Sequence, residues 1–257
     1  MSRALRTGWI LVSLLLLGGT FLRAETPIVE VKFQVYLLSQ PSARIEAAAP
    51  DDGGGTQMRS YKPTEILYRN PGKDSWEEIE VSVGRLSREL LYEGPPEISL
   101  YWGDPSRRMK LGAVRVPEGV RRLLILIMPD RSSGPGVHLI PIPFSGNEIA
   151  GGEGRFLNLG TEDLASRIGG DMKVLSFGES VSVDLGQVQD FYLPVQFAVM
   201  DPTGGWTVRH SEKLIVQPEL GYLFVIYSVP GLRDRLRILK LEVPKRADDF
   251  SPSESVG

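Results

Sequence analysis

From residue 28 to 37 apolar and polar positions alternate: Val29, Val31, Phe33, Val35 and Leu37 share one face, and Glu30, Lys32, Gln34 and Tyr36 the other. A period of two marks a strand with one buried side. From Thr64 onward, short apolar runs rich in β-branched and aromatic residues recur, separated by Gly, Pro or Asp. They occupy 65–68, 79–83, 89–92, 98–102, 111–116, 123–128 and 137–142, then 155–159, 172–177, 180–185, 191–200, 207–210, 214–216, 223–229 and 236–243. Spacing this even predicts antiparallel strands in sandwiches or barrels. Only 161–168 reads as helical: Thr161 is placed to cap, Glu162 and Asp163 follow in the first turn, and Gly169-Gly170 ends it at once.

The two halves echo one another. The run at 123–128 is preceded by Pro117-Glu118 and followed by Pro129, and its partner run ends at Pro143. The run at 224–228 is preceded by Pro218-Glu219 and followed by Pro230, and its partner ends at Pro244, each match lying 101 residues on. Looser echoes join 90–94 to 174–178 at an offset of 84, and Tyr68-Arg69-Asn70 to Phe156-Leu157-Asn158 at 88. The fold expected is therefore all-β, with two tandem immunoglobulin-like antiparallel β-sandwich domains. The first covers 25–150 and the second 151–245, with the glycine-rich stretch 146–154 at their boundary. Within the first, 39–62 surrounds Asp51-Asp52-Gly53-Gly54-Gly55 and reads as a mobile loop; 246–257 is acidic, Ser-rich and reads as a disordered tail.

Ahead of the domains, residues 1–24 have the three parts of a cleaved signal peptide: Arg3 and Arg6, an apolar stretch from Trp9, and a small-residue end at Ala24. The apolar stretch is about 14 residues against the roughly 20 a spanning helix needs, so no stable membrane span is expected after cleavage. Removing Arg3, Arg6 and Arg23, with no acid, leaves 26 of the 29 basic residues against 32 acidic ones, and the formal charge moves from -3 to -6. Scattered, outnumbered cations do not suit a phosphate backbone, so nucleic acid is not an expected partner. The expected localisation is exported, periplasmic or extracellular.

The chain has no cysteine. That closes lipoprotein anchoring, thiol catalysis, iron–sulfur clusters and thiolate zinc sites, and leaves the domains to be held by packing. Its two histidines, His138 and His210, lie in strand-like runs, and no Gly-x-Ser-x-Gly elbow accompanies them. Asp51-Asp52, Glu77-Glu78 and Asp248-Asp249 lack the spacing of a calcium loop. No metal, cofactor or catalytic residue is expected. Carboxylates such as Glu97 and Glu179 sit at strand starts, where acids serve solubility, although paired carboxylates are what glycoside hydrolysis requires. Aromatic residues are the remaining lead: Tyr101, Trp102, Tyr192 and Trp206 are the candidate binding residues, in competition with core packing. Trp206, after Thr203-Gly204-Gly205, is the one expected at the surface.

Tyr92-Glu93-Gly94-Pro95 before a strand, Val116-Pro117 before a run ending in Pro129, and Arg155-Phe156-Leu157-Asn158-Leu159 before the Gly169-Gly170 turn resemble a family of bacterial exported proteins with two tandem β-sandwich domains. The resemblance spans 28–244 and lends no function or site. Pilus chaperones share only the architecture, because their paired basic anchoring residues find no match. The expectation is a non-enzymatic cell-envelope protein that binds or scaffolds an envelope protein or glycan through exposed strands or the cleft between its domains. A protein that binds or hydrolyses carbohydrate through exposed aromatics and carboxylates is the alternative.

Overall fold

The computed structural model describes residues 27–38, 66–103, 108–129, 137–228 and 235–244. The leader 1–24, the loop 39–62 and the tail 246–257 lie outside the described residues. Eight strands come first: β1 Val29–Leu37, β2 Ile66–Asn70, β3 Ser75–Ile79, β4 Leu90–Gly94, β5 Glu97–Trp102, β6 Met109–Arg115, β7 Arg122–Pro129 and β8 Val137–Pro143. Eight more follow: β9 Glu153–Leu159, β10 Leu164–Ile168, β11 Asp171–Leu175, β12 Ser180–Asp184, β13 Tyr192–Met200, β14 Trp206–Ile215, β15 Tyr222–Ser228 and β16 Leu236–Glu242. Among the described residues the only helical turns are the 3-10 pieces Pro71–Lys73 and Leu185–Gln187.

Each set of eight forms two four-stranded sheets, and each pair of sheets is a β-sandwich. The first set is ordered β4-β1-β7-β8 and β3-β2-β5-β6, the second β12-β9-β15-β16 and β11-β10-β13-β14. Replacing every strand by the one eight places later converts the first pair of sheets into the second. Even the exceptions repeat, since β1 with β7 and β9 with β15 are parallel pairs in otherwise antiparallel sheets. A constant-type immunoglobulin sandwich has seven strands in sheets ABED and CFG; each unit here has four strands in both sheets.

The repeat is real in topology but not in the register of the prolines. Phe144 N donates to Arg122 O, and Val243 N to Gly221 O, so equivalent positions in the two hairpins lie 99 residues apart, not 101. The slip is even, and so side chains keep their faces: Ile125 and Ile226 both point into their own sandwich. The offsets of 84 and 88 join strands that are not equivalent, β4 with β11 and β2 with β9.

The described residues form three apolar cores. Phe33, Tyr68, Ile98 and Leu123 belong to the first sandwich's core, and Phe156, Phe197, Leu214 and Phe224 to the second's. The third lies between the sandwiches, where sheets β4-β1-β7-β8 and β12-β9-β15-β16 face each other through Leu124, Leu126, Leu223 and Val225, all fully buried. Successive residues of β7 alternate between cores, Leu123, Ile125 and Ile127 facing one and Leu124, Leu126 and Met128 the other. A strand covered on both faces must be apolar at every position, and Leu123 to Met128 is so. At about 1.5–3 kcal/mol for each large aliphatic side chain buried, this interface is a major source of stability. It also closes the cleft that the sequence suggested as a binding surface.

The segment between β8 and β9 is fixed in place. A Cβ at Gly151 would stand 2.8 Å from Glu219 O, and one at Gly221 2.8 Å from Ala150 O, so two backbones touch where only glycine fits. Ile149, in the same segment, is buried in the third core.

Residues 161–168 are not helical. Leu164 to Ile168 form β10, paired on both sides by β11 and β13. Tertiary pairing overrides the cap-like Thr161-Glu162-Asp163, because Leu164, Ser166 and Ile168 are the buried face of a strand.

Two buried asparagines tie down strand ends. Asn158 donates to Leu175 O (2.9 Å) and Glu162 O (3.0 Å) and accepts from Gly160 N (2.8 Å). Asn70 donates to Leu91 O (3.0 Å), next to a carboxylate that also faces inward: Glu77 accepts from the Tyr68 hydroxyl (2.9 Å) and from Lys73 Nζ (3.0 Å). Burial raises the Glu77 pKa, but the donors Lys73, Tyr68 and Asn70 outweigh it and hold the carboxyl below its usual value.

Candidate functional site

Alternation along β5 sends Tyr101 and Trp102 in opposite directions. Trp102 is only 5% exposed and joins Ile98 and Leu100 in the first core. It is therefore not available to the surface platform expected from the sequence, because its even position puts it on the inward face of the strand. Tyr101 is on the outer face, its ring edge-on to Trp76 at 5.1 Å, and Arg108 covers Trp76 at 4.2 Å. Around this cluster the face is mixed in charge, with Arg69, Glu78 and Lys110 on the same side.

Tyr192 and Trp206 lie on the outer sheet of the second sandwich, about half exposed at 51% and 46%. Tyr192 pairs with Ile215 and Trp206 with Met200, at opposite ends of the β13–β14 ribbon. Eight residues separate the ends, about 27 Å at 3.4 Å per residue. The four predicted residues thus do not converge: one is buried, one belongs to the far side of the other sandwich, and two mark the ends of one face.

Between those ends is a feature that no linear pattern displayed. Register places Val174 of β11, Ala165 of β10, Ala198 of β13 and Val208 of β14 in one row across the sheet. All four point to solvent, and all four are apolar. Met172 on β11 and Trp206 on β14 extend the row's ends along the strands. Large residues on the two edge strands and alanines on the two central ones make a trough, and a groove of about 440 Å³ is lined by these residues together with Ser166, Arg167, Lys173 and Gln196. Met172, Val174, Trp206 and Val208 are each between 46% and 75% exposed, which an antiparallel sheet's solvent face does not ordinarily tolerate in a cluster.

The hairpin at the groove's end is well braced. Asp201 Oδ1 accepts from Thr203 N (2.8 Å), Thr203 Oγ1 (2.5 Å) and Gly205 N (3.1 Å). The Thr203 hydroxyl, then the Gly205 and Thr203 amides, hold this exposed carboxyl below its usual pKa. Gly204 takes φ +90, a conformation open to glycine, and the turn delivers Trp206 to the first position of β14.

No family model and no curated protein matches the chain. The site must therefore be read from its own chemistry.

The outward positions of these four strands carry Arg167 and Lys213 as their only charges, and no carboxylate. Arg167 makes no ion pair among the described residues. His210 packs beside Phe197, and its Nε2 lies 3.3 Å from Glu212 Oε1 without the geometry of a hydrogen bond. It faces the inner side of the sheet, away from the groove. Glu97 begins β5 and Glu179 precedes β12, so they belong to different sandwiches and do not form a facing pair. Among the described residues no three His, Asp or Glu side chains group as metal ligands, and no helix is long and apolar enough to cross a membrane.

Proposed function

We propose that the protein is exported and acts outside the cytoplasm as a non-enzymatic binding module, with the outer sheet of its second sandwich as the docking face. The leader supports the export, and the layout resembles that of exported bacterial proteins with two β-sandwich domains. The observation that carries the docking face is the row Val174, Ala165, Ala198 and Val208, apolar across four strands and open to solvent. An exposed apolar groove edged by large side chains is the form that interaction sites take. The inner sheets are occupied by each other, and the first sandwich's outer face is charged with its Trp76 already covered by Arg108. A glycan platform would rest on Tyr192 and Trp206 alone, too far apart for one sugar ring.

The test is capture from envelope extract at physiological salt, using the chain after the leader as bait and Ala198→Glu as control. The reading predicts that a defined partner is recovered by the wild type and lost with Ala198→Glu, while both baits unfold at the same temperature. Equal recovery by both overturns it.

A further inference from the structure

Resting on that docking-face reading, we propose that the groove's occupant is an amphipathic α-helix with an apolar stripe and a carboxylate at its flank. Three features of the groove select this chemistry.

The first is backbone accounting. A sheet's face, unlike its edge, offers no row of free N–H and C=O groups, because β10 is paired along its length by β11 and β13, and β13 by β14 with a single bulge at Phe197/Ala198. An extended peptide laid there would bury its own polar backbone without partners. A helix brings its backbone hydrogen bonds with it.

The second is width. The walls stand on β11 and β14, three strand spacings apart, which is about 14 Å at 4.8 Å each. A helix with its side chains is roughly 10–12 Å across. Ala165 and Ala198 supply the low floor such a cylinder needs, and Met172, Val174, Trp206 and Val208 flank it.

The third is charge. Arg167 lines the groove, one register row from Ala165 on the same face, and no carboxylate of the described residues pairs with it. Its planar fork suits a carboxylate. Lys213 lies on the same face further along β14, opposite Pro194. The groove is cationic on a chain whose formal charge is -3, so a helix that prefers it must be acidic against the trend of the whole molecule.

That reversal gives the experiment its discrimination. Two synthetic peptides of about 18 residues carry Leu at i, i+3, i+4 and i+7, one flanked by Glu and the other by Lys, and are titrated as fluorescent conjugates onto the chain after the leader. Whole-molecule electrostatics favours the Lys peptide; the groove favours the Glu peptide. We expect the Glu peptide to bind at least tenfold more tightly, Arg167→Glu to reverse the order, and Arg167→Gln to equalise the two. Binding of neither peptide, or preference for the Lys peptide, overturns the inference. So does binding to vesicles of anionic lipid that Arg167→Glu abolishes, and so does a concentration-dependent dimer that Ala198→Glu dissolves, since each names another occupant. If the peptides fail while envelope capture still depends on Ala198, the helix is wrong and the docking face stands. If capture is indifferent to Ala198, the docking face itself falls.

Discussion

Ala165 of β10 and Ala198 of β13 stand opposite each other in register, on the solvent side of a sheet whose edge strands carry Val174 and Val208 in the same row. Two small residues in the middle and two larger ones outside turn a flat face into a trough. None of the four is informative alone; their alignment is what makes a surface.

Because none of this row belongs to an apolar core of the described residues, replacing its members should leave the fold intact. Ala198→Glu, at a partly exposed position with no hydrogen-bonding side chain, is expected to shift unfolding free energy by no more than about 1 kcal/mol. A loss of several kcal/mol in denaturant titration would mean that the face is covered in the folded protein.

The third core should behave in the opposite way. Leu124→Ala or Leu223→Ala removes a fully buried side chain between the sandwiches, and a loss of about 2–5 kcal/mol is expected. Leu223→Asp, which places a charge there, should split one calorimetric transition into two as the sandwiches uncouple. An unchanged single transition for Leu223→Asp would refute a shared core.

Glu77 sets a pH dependence. Its folded pKa lies below the ordinary glutamate value, burial being outweighed by donors from Lys73, Tyr68 and Asn70. A depressed carboxylate stabilises the fold above its unfolded pKa, and that contribution disappears as pH falls through the folded value. Glu77→Gln should therefore be less stable than wild type at neutral pH, with the gap closing below about pH 4.5. A gap equally wide at pH 3 and pH 7 would remove Glu77 from the account.

Asn158→Ala should be costly for its size. It leaves Leu175 O, Glu162 O and Gly160 N without their partner, at about 1–3 kcal/mol for each group left unpaired in the interior. Asn158→Asp should recover little, because the carboxylate cannot donate to the two carbonyls. Near-wild-type melting of Asn158→Ala would contradict the role given to this side chain.

Where the first core made the pattern, the strands were legible: in β1 Val31, Phe33, Val35 and Leu37 alternate inward, whereas Tyr36 on the other face is buried in the third core. Where a polar group turned inward, they were not. In β3 the inward Glu77 breaks the alternation of Trp76 and Glu78, so the strand was expected four residues late, at 79–83. The strand β14 was divided at Ser211 to Lys213, polar residues whose backbone nevertheless pairs with β13. The shared core is written in the continuous apolar run of β7, since six successive apolar residues exceed what one buried face uses. Tyr192 and Trp206 lie exposed on the second sandwich's outer sheet, while Trp102 goes inward by parity. The groove could not be read from the chain, because it depends on register between four strands that local sequence does not encode.

Photo-crosslinking in envelope extract locates the docking face. A photoreactive amino acid replaces Val208 in one bait and Glu78, on the first sandwich's outer face, in another. A discrete adduct is expected from position 208, abolished by adding Ala198→Glu, and none from position 78. Equal adducts from both positions, or an adduct from 78 alone, would contradict a docking face on the second sandwich.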